Sequence, residues 1–334
     1  MRTGITSVLV LVLAVTAGSV FGAERYVAPG GANVVPFASR ETAATELQAA
    51  VDVAADGDVV RVLPGTYLIE SEIIISNAVT VWGSGWSRTV VDGQNRECCF
   101  RLKHAGAVVR GFTITRGSRE YGGGVCCEGG GTVQNCVIQA NHAAVGGGGV
   151  YGGWVQNCLI TGNSADGRGV GGGACNCILE NCTVVGNAAG QGGGVAGGTA
   201  LNTIIYYNDA SLQGANWEGS AMSYSCTLPL PPGAGNMPDA PGFAEMGGAY
   251  PLDPDSPCVN SGSADVRFMY PKDLDDHARV VGGRIDIGCS EYAPPPPPPD
   301  SDAMGAQRGA PGQVATAAAA RPPESGLIPV GDRR

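Results

Sequence analysis

The chain has 334 residues, a formal charge of −10, 54 glycines, and only 6% aromatic and 15% charged residues. That acidic balance argues against nucleic acid or anionic membrane surfaces as partners and favours uncharged or cationic ones. The glycine excess and the shortage of large side chains point to a thin architecture of short strands and turns.

Residues 1–23 read as a removable signal peptide. Arg2 supplies the positive end, Val8 to Val15 an apolar run, and small residues from Ala17 to Ala23 a cleavage region. The run is short for a membrane span and no second one follows. The chain is therefore expected to be exported, to the periplasm, the cell surface or the surroundings, and not to be an integral membrane protein. Residues 24–67 are expected to form an N-terminal cap and the first strands, with Leu47, Val51 and Ala54 on one face of a short helix that acts as a lid.

Residues 68–208 carry a repeat. Asn135, Asn157, Asn181 and Asn202 are 22, 24 and 21 residues apart, and Asn141, Asn163, Asn187 and Asn208 follow each by six. An apolar column, Ile138, Ile160, Val184 and Ile205, keeps the same step, as do glycine runs at Gly122, Gly146, Gly171 and Gly192, closed by Val125, Val150, Ala174 and Val195. Phe112 and Ile114 extend the register one cycle earlier. Glycine triplets, asparagine and β-branched residues disfavour helix, and the apolar positions alternate with period two. Three short strands with tight turns consume roughly 22 residues, one coil of a parallel β-helix whose coils stack about 4.8 Å apart. Aliphatic columns then fill the tube, and both Asn columns are expected to form hydrogen-bonded ladders.

Residues 209–292 are expected to form a last coil and capping region. Residues 293–334, with the run Pro294 to Pro299, are expected to be a Pro-rich linker and disordered tail.

The repeat GGGV…V-x-N-C-x-I-x-x-N resembles those of secreted right-handed parallel β-helix proteins of the pectin-lyase-like superfamily. It is partly similar to repeats of polymorphic outer-membrane proteins, with an aliphatic residue in place of their Phe. The opening, Arg25 to Gly30 and Asp56 to Tyr67, resembles that of many bacterial β-helices. The stretch from Asp239 to Tyr292, with Ser256-Pro257-Cys258, Asp273-Leu274-Asp275 and Asp286-Ile287-Gly288, resembles the C-terminal region of choice-of-anchor Q proteins. The resemblance implies an all-β right-handed parallel β-helix with a short capping helix. It implies no single activity, because the superfamily holds lyases, hydrolases and adhesins.

Twelve cysteines in an exported chain raise the question of disulfides. Cys136, Cys158 and Cys182 share a repeat column and are expected to be buried thiols, whereas bridges are expected among Cys98, Cys99, Cys126 and Cys127 and between Cys258 and Cys289. Superfamily lyases hold calcium with clustered carboxylates, and its glycosidases need two or three carboxylates from neighbouring coils. Between Gly131 and Asn208 the only Asp, Glu, Lys or Arg residues are Asp166, Arg168 and Glu180, too few for either. The earlier coils offer Asp92, Arg96 and Glu97 as catalytic candidates. Asp273, Asp275 and Asp276 are candidates for Ca²⁺, with no other cofactor implied. Tyr151 and Trp154 are candidates for stacking on sugars. The leading expectation is a non-catalytic binding, adhesion or structural module for polysaccharide or an extracellular protein. The alternative is a polysaccharide lyase or glycoside hydrolase, and a third reading is a passive domain that stacks through its edges.

Overall fold

The computed structural model describes residues 22–245, 248–265 and 271–294. Nearly all of the expected signal peptide, and the expected linker and tail from residue 295 onward, lie outside the described residues. The compact unit ends at Ala293.

Each coil passes through a strand of a nine-stranded sheet, turns a corner into an eight-stranded sheet, and returns through a seven-stranded sheet. From the third coil onward an extra short strand intervenes and builds a five-stranded sheet. The ladders are parallel throughout, from Glu24–Val27 against Val59–Val62 to Thr199–Leu201 against Ala221–Ser223. Seven coils run from Val59–Val62 to Trp217–Glu218, and Ala221–Ser223 with Cys226–Thr227 begins another. This is the right-handed parallel β-helix that the spacing predicts.

The register follows the sequence columns. Ile114, Ile138, Ile160, Val184 and Ile205 are successive partners, as are Val125, Val150, Ala174 and Val195, and all are fully buried. Each large aliphatic side chain so placed contributes about 1.5–3 kcal/mol of burial. At the first end, the helix Leu47–Asp52 turns Leu47, Ala50 and Val51 into the same core and closes the tube.

The two Asn columns do different work. Asn141, Asn163, Asn187 and Asn208 are buried, and each side-chain amide donates to the next one's Oδ1 at 2.9–3.0 Å before the chain ends on Asn216 Oδ1 at 3.3 Å. The Oδ1 atoms of Asn163, Asn187 and Asn208 also accept the backbone N–H of the Asn one coil earlier, and that of Asn141 accepts from Gly117 N. The last glycine of each run, Gly124, Gly149, Gly173 and Gly194, lies over this ladder. A Cβ at Gly173 would fall 2.7 Å from Gly194 O and 3.0 Å from Asn187 Cγ, so only glycine lets the coils approach there. Asn135, Asn157, Asn181 and Asn202 instead take positive φ, 48° to 50°, at the corner between the nine- and eight-stranded sheets. Asn135 and Asn157 donate to Asp273 O and Lys272 O, and Asn202 accepts from Ser263 N, so this column faces outward to the C-terminal segment instead of forming the expected coil-to-coil chain.

The expected bridges among Cys98, Cys99, Cys126 and Cys127 and between Cys258 and Cys289 are not formed, and all twelve cysteines are buried free thiols. In the repeat column the thiols of Cys136, Cys158 and Cys182 donate to the carbonyl two residues back, at 3.1–3.3 Å. Thr203 and Ser225 continue the same bond with hydroxyls. The column thus selects a small side chain with a donor.

After the last coil, Met237 pairs with Cys226 and the chain runs back along the outside of the eight-stranded sheet. Leu274 and Cys289 pack on the outward residues Val137, Leu159 and Val185, while Leu252, Cys258 and Ile287 pack on Ile204 and Cys226. The motifs of this segment form a polar core. Asp273 accepts from Asp275 N, His277 N and Glu291 N at 2.8–2.9 Å, Asp286 accepts from Asn260 N and Tyr292 N at 2.6 Å, and buried Arg279 lies 3.3 Å from Glu291.

Candidate functional site

Strands of the nine-stranded sheet place their middle residue inward, at Val60, Val81 and Val109, so the following residue projects outward. On the first three coils that outward column is Arg61, Trp82 and Arg110, in register. Both guanidinium carbons lie over the indole, 4.1 and 4.2 Å from its ring centroid. At these distances each guanidinium is within cation–π range of the indole. Further along, the column continues as Gln134, Gln156 and Glu180. The last two are buried, and the column opens again at Leu201 and Ser223 beyond them.

The open part lies in a cavity of about 680 Å³. Glu24, Tyr26 and Arg40 line it at one end, Trp86 and Arg88 at the corner, and Asp275 and Asp276 along the C-terminal segment. Glu24 accepts from the Tyr26 hydroxyl (2.6 Å) and from Arg61 (2.8–2.9 Å), and these two bonds hold its carboxyl below the ordinary value. Asp275 is displaced the other way. Burial raises its carboxyl, against the opposing pull of Ser290 Oγ, which donates to it at 2.8 Å. Burial also lowers the Arg110 guanidinium, whose enclosed Nε has no hydrogen-bond partner. The groove therefore offers a fork of cationic N–H donors, two carboxylates shifted in opposite directions, and two indoles.

Of the residues singled out from the sequence, Asn135, Asp275 and Asp276 line this cavity and the others lie elsewhere. Asp92 is buried and held by Arg116, whose Nε donates to it at 2.8 and 3.0 Å, and by Gln94 N at 2.9 Å. These bonds consume the carboxylate in fixing a turn. Arg96 is exposed and Glu97 half-buried in that turn. Tyr151 lies in the seven-stranded sheet with its ring 4.9 Å from that of Tyr121, whereas Trp154, 43% exposed, follows the Gly152-Gly153 corner in the nine-stranded sheet between Thr132 and Ile178. The two rings face outward from different sheets. In the acidic segment only Asp275 and Asp276 reach the groove. Asp273 is filled by backbone donors, an arrangement that does not fit a Ca²⁺ ligand. Among the described residues no cluster of three His, Cys, Asp or Glu residues is set to hold a metal.

Glu24, Tyr26, Arg61, Trp82, Trp86 and Arg110 were not among the sequence candidates. The available signal was Val-Arg, Val-Trp and Val-Arg at 60–61, 81–82 and 109–110, one outward residue after each inward valine.

No protein-family model matches the chain, and no curated protein matches it. Among solved structures, that of pectate lyase Pel9A is similar with a TM-score of 0.38 and 14% identity, over 81% of this chain and 96% of that one. Among the described residues no helix is long and apolar enough to cross a membrane. The chain is a parallel β-helix with a polar, arginine-rich groove on the outer wall of its first three coils.

Proposed function

We propose that the protein is an exported β-helix module that binds an acidic polysaccharide in the groove beside Trp82. The observation that carries this reading is the Arg61–Trp82–Arg110 stack, which presents cationic forks about two strand spacings apart, roughly 9–10 Å, along an open channel. A polymer with anionic groups recurring on one side can engage Arg110 and compete with Glu24 for Arg61. The local charge here runs against the chain's overall −10, which favours uncharged or cationic partners away from the groove. Binding of a polyuronate and of neutral dextran tests the reading. The polyuronate is expected to bind in preference, with affinity reduced about tenfold by Arg110→Ala or Trp82→Ala and unchanged by Trp154→Ala. Equal binding of both polymers, or no effect of the groove variants, would overturn it.

A second reading, glycoside cleavage, is favoured by one observation: Glu24 and Asp275 line one groove with their acidities displaced in opposite directions, as an ionised partner and a general acid require. Turnover abolished by either Glu24→Gln or Asp275→Asn would support it, and binding without any cleavage would sink it.

A further inference from the structure

Ala23, the residue before the strand Glu24–Val27, is exposed, yet both of its main-chain polar groups are bound by the start of the next strand. Its carbonyl accepts from Val59 N at 3.0 Å, and its nitrogen donates to Asp58 Oδ1 at 2.6 Å, short for an N–H···O bond. Asp58 is buried, only 5% exposed. Its other oxygen, Oδ2, accepts from Ala55 N at 3.0 Å and lies 3.2 Å from Arg25 Nη2. A carboxylate held this way binds a donor more strongly when the donor carries charge. Gly22 lies against Gly57, where a Cβ would fall 1.8 Å from the Gly57 carbonyl oxygen. A leader left attached therefore has to pass through a gap that only glycine fits.

The sequence here offers two pairs of small residues for leader removal, Ala17 with Ser19 and Val20 with Gly22. A cut after Ser19 leaves two apolar residues, Val20 and Phe21, ahead of Gly22. A cut after Ala23, the end of the expected signal peptide, puts bulky Phe21 in a small-residue position and removes both bonds that Ala23 makes. We propose that the leader is removed between Gly22 and Ala23, and that the α-ammonium so created binds Asp58 and fastens the first strand beside Val59–Val62. The leader-removing protease of the export route adds water across that one peptide bond, leaving a carboxylate on Gly22 and a protonated amine on Ala23. The precursor's amide offers Asp58 one neutral N–H, whereas the ammonium offers the same oxygen a full charge. Processing depends on export and not on what the groove binds, so failure of the polysaccharide reading leaves it in place.

The test exports the full chain from a bacterial host and reads the intact mass and N-terminal sequence of the product. The product is expected to begin Ala23-Glu24-Arg25. A start at Val20 or Glu24, or an uncleaved chain, would overturn the proposal. The α-amine is then acylated with an N-hydroxysuccinimide ester, in the native and the urea-unfolded chain, with the exposed Lys103 amine as internal reference. At about pH 7 a free α-amine, which titrates well below lysine, reacts far ahead of it. Pairing with Asp58 is expected to cut that lead about tenfold in the native chain, and Asp58→Asn to restore it. The same lead in both states would overturn the proposal. Because Ala23 is exposed, slow labelling reports the pairing and not shielding. The native and unfolded samples are of the unaltered chain, so poor folding of Asp58→Asn leaves the test intact.

Discussion

The middle coils and the first coils share one backbone design but differ in their outer wall. From Gly131 to Asn208 the Asp, Glu, Lys and Arg residues number three, whereas the first coils carry Arg61, Arg101, Arg110, Arg116 and Arg119 with Glu72, Asp92 and Glu128. Much of that early charge is self-paired: Arg101 lies 3.0 Å from Glu72 and 2.7 Å from Glu128, and Arg116 holds Asp92. The inward columns hardly differ between the two regions, so charge is not needed to form the tube. What separates them is cover. The outward column that is buried at Gln156 and Glu180 stays open at Arg61, Trp82 and Arg110. One register position is thus wall in one region and site in the other.

The sharpest way to break the middle region is to add a single methyl group where coils meet. Gly173→Ala drives a Cβ to 2.7 Å from Gly194 O and 2.9 Å from Val184 Cγ1, both held by the ladder. The expected loss is about 4 kcal/mol or more in a denaturant titration. Gly167→Ala, with nothing within 4 Å of the new Cβ, is expected to change stability by less than about 0.5 kcal/mol. Equal effects at the two sites would show that coil contact does not explain the glycine runs.

A smaller effect separates the two Asn columns. Asn163→Ala removes the acceptor of Asn141 N and Nδ2 and the donor to Ile138 O and Asn187 Oδ1, leaving buried polar groups without partners. The expected cost is about 3 kcal/mol. Asn157→Gly keeps the positive φ of its corner and loses one long bond, 3.4 Å to Lys272 O, so the expected cost is below about 1 kcal/mol. The same denaturant titration ranks them.

How far the sequence reaches follows from the same contrast. A column that recurs every 21 to 24 residues declares itself, because each coil must satisfy the same inward volume and the same corner. Ile138, Ile160 and Val184 could therefore be placed before any coordinates were known. The different roles of Asn157 and Asn163 could not, because spacing reports that a residue recurs and not whether its φ or its amide is what matters. The groove was harder still. It joins Glu24 of the first strand, Trp82 and Arg110 of two irregular coils, and Asp275 from about 165 residues beyond Arg110, and no period links them. Asp92, surrounded by charge in sequence, drew attention for that reason, although its carboxylate is spent on Arg116.

The mildest test changes no residue. Burial pushes the Glu291 carboxyl up to about 8, outweighing the opposite pull of Arg279, and raises Asp286 beside it, while Asp273 lies in the same polar core. A carboxyl whose folded value lies above its unfolded one binds its proton more tightly in the folded state. Its contribution is complete below about pH 4.5 and fades as pH rises through about 8. From about pH 6 to about pH 8 the segment around 285–291 is expected to lose about 2 kcal/mol of resistance to local opening. The amides of Asn187 and Asn208 in the ladder, whose side chains carry no titratable group, are expected to show no such change. Hydrogen exchange corrected for its intrinsic pH dependence measures both in one sample. A segment that grew tighter toward pH 8 would mean that Arg279 governs Glu291, and that the C-terminal wall is held by an ion pair instead of a shared proton.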